Sequence, residues 1–369
     1  MLALDEGIPA RRRQGAYWLV LIGCAAALAF GALEAASRLA YHFEYLSLTS
    51  TYNSLDARLK AEWLRRHRRT GVVGQYGYDT YDPLLGWTLR PNLRDLRVDR
   101  QPGVTTNADG IRADREFSHE KPPGVRRVVL VGDSFTFGED EEQAHIWPSL
   151  LQANLPGWEV LNLGVHGYGT DQMLLTLQTK GMRYHPDVVV VSVFVEDVDR
   201  NVGVFRAYAK PMFVLDEGQL RLTNVPVPSP EELLAQDDGV RPASYAWHFL
   251  THELGPVYGS TERKNDRPYV LGLNRAIMDE MRRTAAGGGA NLLVVVVHYP
   301  AYGETLEVEA SVEAWGREVG SPVLDLRGAF EASDAGGGPK LWARHFSRVG
   351  NALVAQTVRE RLRELGWAP

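Results

Sequence analysis

Five short apolar runs, at residues 128–131, 160–163, 188–195, 292–297 and 323–326, follow one another through the C-terminal two thirds of the chain, and the intervals between them are long enough for helices. A strand buried on only one face alternates apolar and polar residues. These runs do not alternate, so they read as strands of a parallel sheet covered by helices on both faces. That pattern predicts a three-layer α/β/α domain. Val354, Val358, Leu362 and Leu365 recur at helical spacing after Gly350 and predict a last helix that seals the sheet.

In such a sheet the chemistry lies at the C-terminal ends of the strands. The first run leads directly into Gly132-Asp133-Ser134-Phe135-Thr136-Phe137-Gly138, which puts Ser134 in the turn between strand and helix, where backbone N–H groups are free to face a developing negative charge. A serine at a helix start is commonly only a cap. What raises this one above a cap is its company. Gly164 follows the second run in Asn162-Leu163-Gly164-Val165-His166-Gly167-Tyr168-Gly169, Glu196 and Asp197 end the third, and His345 precedes the last helix. All of these positions belong to one rim of the predicted sheet.

From about Arg126 to the C-terminus the chain resembles the SGNH, or GDSL-type, hydrolase family. The resemblance rests on Gly132-Asp133-Ser134 with Phe137-Gly138 and on residues 161–172. It implies a flavodoxin-like arrangement of the sheet and an ester-processing serine enzyme. In this reading Ser134 is the nucleophile, His345 the general base, and the Ser134 and Gly164 N–H groups form the oxyanion hole. Two positions depart from the family pattern. Glu196 stands where the family has an asparagine that donates to the oxyanion. Ala343 and Trp342 stand where an aspartate usually precedes the histidine.

An ionised Glu196 within 4 Å of an oxyanion would oppose it by roughly 4 kcal/mol at an effective dielectric of 20. Arg200, four residues on, is its expected partner. With no aspartate beside it, His345 is expected to work in a Ser-His dyad oriented by a backbone carbonyl, with Asp325 at the end of the fifth run as the alternative orienter. His298, at the end of the fourth run, is a rival base. The expected substrate is an acyl ester, acetyl above all, on a glycan outside the cytoplasm, handled by hydrolysis or by O-acyl transfer. The competing function is a catalytically weakened domain that binds a glycan or a protein.

Other chemistries fail on their motifs. Residues 132–138 lack the lysine of a phosphate-binding loop, the glycines at 164, 167 and 169 have the wrong spacing for a dinucleotide fingerprint, and Thr136 breaks a Gly-x-Ser-x-Gly elbow. No paired-cysteine or His-Glu-x-x-His set is present, so neither a cofactor nor a metal is expected. A net charge of −6 gives no pull toward nucleic acid.

Upstream of the sheet, residues 16–33 carry no charge and would span about 27 Å as a helix. Arg11, Arg12 and Arg13 precede this stretch and only Arg38 follows closely, which leaves the N-terminus in the cytoplasm and the rest outside. The alternatives are a cleaved signal peptide and a lipoprotein signal at Cys24, the only cysteine, in Leu21-Ile22-Gly23-Cys24. The expected organisation is a cytoplasmic N-terminus (1–15), a transmembrane anchor (16–38), a basic helical stalk (39–70), a loop-rich lead-in (71–125) and the α/β domain (126–369). An insertion at about 202–269 within that domain contains a hairpin around Asp216-Glu217-Gly218-Gln219.

Overall fold

A computed structural model describes residues 10–43, 55–98, 101–236, 242–252, 266–297, 306–335 and 340–369. Two helices come first, α1 (Ala10–His42) and α2 (Leu55–Thr70), followed by a small antiparallel pair, β1 (Asp79–Asp82) and β2 (Gly86–Leu89). The main domain then runs β3 (Arg126–Val131), α3 (Ser134–Phe137), α4 (Trp147–Ala153), β4 (Trp158–Asn162), α5 (Thr170–Thr179), β5 (Val188–Phe194) and α6 (Val195–Arg200). The insertion contributes β6 (Met212–Asp216), β7 (Gln219–Thr223), α7 (Pro230–Ala235) and α8 (Tyr245–His252). The chain closes with α9 (Arg267–Gly287), β8 (Asn291–Val297), α10 (Glu307–Val319), β9 (Val323–Asp325), α11 (Arg327–Ala335) and α12 (Arg348–Glu364).

The five predicted strands form one parallel sheet in the order β4-β3-β5-β8-β9. This is the flavodoxin-like order, and its topological switch point falls between β3 and β5. Strand residues alternate between two cores. Val129, Val131, Val189, Val191, Val294 and Val296 face α5, α9 and α10, whereas Val128, Leu130, Val188, Val190, Leu293 and Val295 face α4 and α12. Both faces are therefore buried, which explains why the runs are continuously apolar rather than alternating. Val354, Val358 and Leu362 are the buried stripe of α12, the sealing helix.

The β6–β7 hairpin turns through Glu217 and Gly218, both at positive φ (50° and 79°), in the register Asp216 to Gln219. Consecutive positive-φ residues match the twist of the flanking strands, and glycine takes that conformation without strain.

One expectation about the N-terminal third is corrected. The basic segment does not stand off the body as a stalk, because Trp63 and Leu64 of α2 are buried in the core that covers one face of the sheet. Arg66 donates to the carbonyls of Gly74 and Ala207 and fastens the helix down. The loop-rich lead-in packs on the body as well. Tyr78, Trp87, Leu89 and Ile111 belong to the same core, and the Trp87 indole donates to the His166 carbonyl at 3.2 Å. Among the described residues, one helix segment, Tyr17–His42, is long and apolar enough to cross a membrane.

Candidate active site

Ser134 is the first residue of α3, a single helical turn squeezed between the tip of β3 and Gly138. Asp133 caps that turn by accepting from the Phe135 N–H at 2.9 Å, which leaves the Ser134 hydroxyl at the rim of the sheet. Gly138 ends the turn at φ 88°, and a Cβ there would lie 2.3 Å from Ile146 Cγ2, so the position demands glycine on two counts. The chain reverses at once. Asp140, six residues beyond the serine and itself at φ 69°, returns to the same rim.

His345 arrives from the loop before α12. Asn351 accepts from the Trp147 N–H at 2.9 Å and donates to the carbonyls of Phe346 and Ser347, tying the histidine loop to α4. The imidazole packs against the Phe135 ring at 5.0 Å between centroids. Its Nε2 lies 2.9 Å from Ser134 Oγ, and its Nδ1 lies 2.7 Å from Asp140 Oδ2. With Nδ1 donating to the carboxylate, Nε2 is left to accept the hydroxyl proton. Partial burial disfavours the charge on Asp140, but hydrogen bonds from His345 and Arg344 outweigh it and hold this carboxyl well below the ordinary range.

The arrangement corrects three expectations. His345 is oriented by a carboxylate rather than by a backbone carbonyl, so the pair is part of a Ser-His-Asp set. Asp325 is not the orienter, because it accepts from both the backbone N–H and the guanidinium of Arg327 at 2.8 Å. Gly164 is turned inward. Its N–H donates to Asn162 Oδ1 at 3.0 Å, and a Cβ there would lie 2.4 Å from the Phe137 nitrogen, behind the serine turn. Gly167, three residues on and at φ 74°, lines the pocket instead. His298 lies outside the described residues.

Glu196 is on the pocket wall, where its carboxylate meets Arg200 at 3.1 Å and Arg206 at 3.9 Å. Its negative charge is offset locally, so the repulsion estimated for an isolated carboxylate does not apply. Glu196→Gln is therefore expected to change kcat for ester hydrolysis by less than about fivefold, because the exchange removes a charge that is already compensated. A fall of a hundredfold in steady-state assays would instead give Glu196 a direct part in turnover.

Arg200 is the electrostatic hub of the site. It is buried, and it reaches Asp133 at 3.3 Å, the Tyr168 carbonyl at 2.8 Å, Asp197 and Glu196, joining the tips of β3 and β5 to the loop after β4. Burial pushes the Asp197 carboxyl up, and neighbouring Asp133 pushes it further. The surrounding carboxylates raise the Arg200 guanidinium against the effect of its own burial. A lone buried arginine would destabilise the site, whereas one shared by three acids fixes the geometry of the rim.

The lead-in supplies two functional elements that sequence reasoning missed. Gln75 and Tyr76 line the pocket, and the Tyr76 hydroxyl donates to Glu139. Arg112, buried against the Phe137 ring, donates to the carbonyls of Phe137 and Gly138 at 2.8 Å and of Glu141 at 2.9 Å. It therefore clamps both ends of the reversal that carries Asp140. Burial pushes its guanidinium down to about 10, still charged at neutral pH. Arg112→Met takes the guanidinium from the buried Gly138 carbonyl and the part-buried Glu141 carbonyl, while the Phe137 carbonyl keeps the Asn162 amide at 3.3 Å, and is expected to cost about 2–4 kcal/mol, measurable as a lowered Tm in circular dichroism, with activity falling alongside.

Asp140 was hidden in Glu139-Asp140-Glu141-Glu142, which looks like a solvated acidic run. The available signal was its closeness to the serine after an enforced glycine turn. Glu139, Asp140 and His345 are also close enough to share a cation. Both imidazole nitrogens are already engaged, however, and Asp140 is shared with Arg344.

The pocket around these groups is an open cavity of about 210 Å³, bounded by Ser134, Gly167, Glu139, Arg206, Arg344 and His345 among others. Such a site can activate a hydroxyl next to a small polar substrate.

Residues 130–353, well over half of the chain, match the model of the GDSL-like lipase/acylhydrolase family. No curated protein matches the chain. Among solved structures it is similar to TesA, at 14% identity over 65% of this chain and 99% of that one with a TM-score of 0.39. It is similar to a member of the lipolytic protein G-D-S-L family from Veillonella parvula DSM 2008, at 13% identity over 64% and 97% with a TM-score of 0.39. It is also similar to the acetyl xylan esterase AlAXEase, at 16% identity over 64% and 99% with a TM-score of 0.39.

Proposed function

The chain belongs to the GDSL-like lipase/acylhydrolase family, and from that premise we propose that it is a membrane-anchored serine esterase that removes short acyl groups, acetyl above all, from glycans outside the cytoplasm. The observation that carries this reading is the continuous hydrogen-bonded line from Ser134 Oγ through His345 to Asp140. His345 Nε2 takes the hydroxyl proton as Ser134 Oγ bonds to the ester carbonyl carbon. The oxyanion is met by the N–H groups of Ser134 and Gly167. The ester C–O bond then breaks and the leaving alcohol takes the proton back from His345. Water, deprotonated by the same imidazole, attacks the acyl-serine and releases the acid. A sugar hydroxyl in place of that water would give O-acyl transfer.

The substrate class follows from the pocket lining. Gln75, Tyr76, Glu139, Glu196, Arg200, Arg206 and Arg344 outnumber the apolar residues on the wall. A long acyl chain would have to desolvate those groups without replacing their hydrogen bonds, at a cost of about 1–3 kcal/mol for each one left unmatched. A short acyl group on a hydroxyl-rich acceptor suits the same wall. The apolar helix segment Tyr17–His42 and the arginines ahead of it support an outside location for the domain. Glu196 and the aspartate missing beside His345 made a binding module the competing reading, and Asp140 at the imidazole supports the enzyme over it.

The test uses the full chain in nanodiscs with p-nitrophenyl acetate and octanoate, and with an O-acetylated glycan with or without added unacetylated acceptor. Acetate is expected to exceed octanoate in kcat/KM by at least about tenfold, and free acetate is expected to appear whether or not the acceptor is present. Preference for octanoate would overturn the substrate class, and acetate release that requires the acceptor would make the enzyme a transferase.

A further inference from the structure

Beyond α1 and Phe43, the residue that follows it, five large apolar side chains stand exposed among the described residues: Val225, Trp247, Leu250, Leu306 and Val349. Two of these, Trp247 at 63% exposure and Leu250 at 38%, lie one helical turn apart on α8, the insertion helix that packs on α1. The contact between the two helices is specific. The Glu34 carboxylate accepts from Ser244 Oγ at 2.8 Å, the Tyr245 N–H at 3.1 Å and the Ala246 N–H at 2.8 Å, so a residue of α1 caps the start of α8. Arg38 pairs with Glu34 at 2.7 Å and stacks over the Tyr245 ring, and the buried Tyr41 meets the rings of Tyr245 and His248.

Glu34 is the first charge after the apolar stretch, which puts it where hydrocarbon gives way to headgroups on the outer side. From Glu34 to Tyr41 the helix rises about 10 Å. The headgroup layer of one leaflet is roughly 5–7 Å deep, so α8, packed along this stretch, starts inside it. Tryptophan is the side chain best suited to that layer, with an apolar ring and one polar N–H. Leu250 extends the same exposed face.

We propose that α8 is a second membrane contact, lying in the outer headgroup layer with Trp247 and Leu250 against lipid. It fixes the insertion, whose first residues bring Arg206 to the pocket, at a set height above the bilayer. The occupant of the exposed face is the phospholipid surface, reached because the neighbouring α1 is itself embedded there. The inference rests on the transmembrane reading of α1.

The test places an environment-sensitive bimane at position 250, as Leu250→Cys in a Cys24→Ser background, with Trp247 kept and a single full-length chain in each nanodisc. The label is expected to be quenched at least twofold by lipid carrying a nitroxide near the headgroup, and little by aqueous iodide. Quenching by iodide alone would overturn the proposal. A companion sample with bimane on native Cys24 separates the two readings. If Cys24 is quenched by a mid-chain nitroxide while position 250 is open to iodide, only the α8 contact fails. If Cys24 is not quenched, the transmembrane reading fails, and the α8 proposal falls with it.

Discussion

Ser134→Ala should reduce kcat on p-nitrophenyl acetate by at least about 10⁴-fold and leave the circular dichroism spectrum and Tm close to those of the wild type. The size follows from the role proposed for the hydroxyl, because an enzyme without its nucleophile retains only what the oxyanion donors and substrate binding provide. The small structural effect follows from the site. Asp133, not Ser134, caps the turn, and the hydroxyl's partners in the structure are His345 Nε2 and, at 3.4 Å, Asp133 Oδ2. Removing one oxygen from the rim of a pocket creates no cavity in either core. A variant that kept more than a tenth of the wild-type rate would remove Ser134 from the mechanism, whatever the geometry around it. Organophosphonate labelling read by intact-mass spectrometry gives an independent check, since it should add one adduct to the wild type and none to Ser134→Ala.

The second large effect is expected at Asp140. Asp140→Asn keeps the shape of the side chain but changes what it offers to His345 Nδ1. An amide can present its NH₂ to the ring and stabilise the wrong tautomer, with the proton on Nε2 and no lone pair left there to accept the serine proton. In comparable triads that exchange costs about 10⁴ in kcat, and here the half-buried position and the added contact with Arg344 place the expected loss at about 10²–10⁴. KM should change far less than kcat, because Asp140 touches the imidazole and not the pocket contents. A loss of less than threefold would restore the dyad and make Asp140 a bystander.

The same substitution has a signature in stability. The folded-state pKa of Asp140 is depressed, so its contribution is fully present above the unfolded value near 4 and disappears as pH falls through the folded value. Wild-type stability should therefore fall between about pH 4 and pH 2 more steeply than that of Asp140→Asn. Denaturant melts at stepped pH measure the difference, and parallel curves would show that the carboxylate is not held by His345 and Arg344 in solution.

Much of this site was legible in residue order alone. The runs at 128–131 and 188–195 had to be buried strands, a glycine-bounded serine at the end of the first had to face the sheet rim, and His345 stood just ahead of the last amphipathic helix. What escaped depended on short reversals and on distant packing. The positive-φ turn at Gly138 decides that Asp140, and not a residue beside His345, completes the hydrogen-bonded line. Gly164 and Gly167 are equivalent as letters in one motif, and only the close approach of Gly164 to the back of α3 assigns the pocket to Gly167. Asp325 sits at a strand end as predicted, but two residues on Arg327 occupies its carboxylate. The lead-in could be assigned no chemistry from its turn-forming residues, because its contribution is made through carbonyl contacts from Arg112, to which sequence patterns are blind.

Sequence by itself determined the parallel sheet, its helical cover, the rim on which chemistry is presented and the serine and histidine that reach it. Those outcomes follow from local periodicity and from the burial of apolar runs, which are properties of neighbours along the chain. Only the tertiary structure decided which carboxylate orients the imidazole, which glycine faces the pocket and how α2, the lead-in and α8 are used. Each of those depends on groups far apart in sequence or on the sign of a single backbone angle, and a folded chain fixes them only when the competing contacts are all present together.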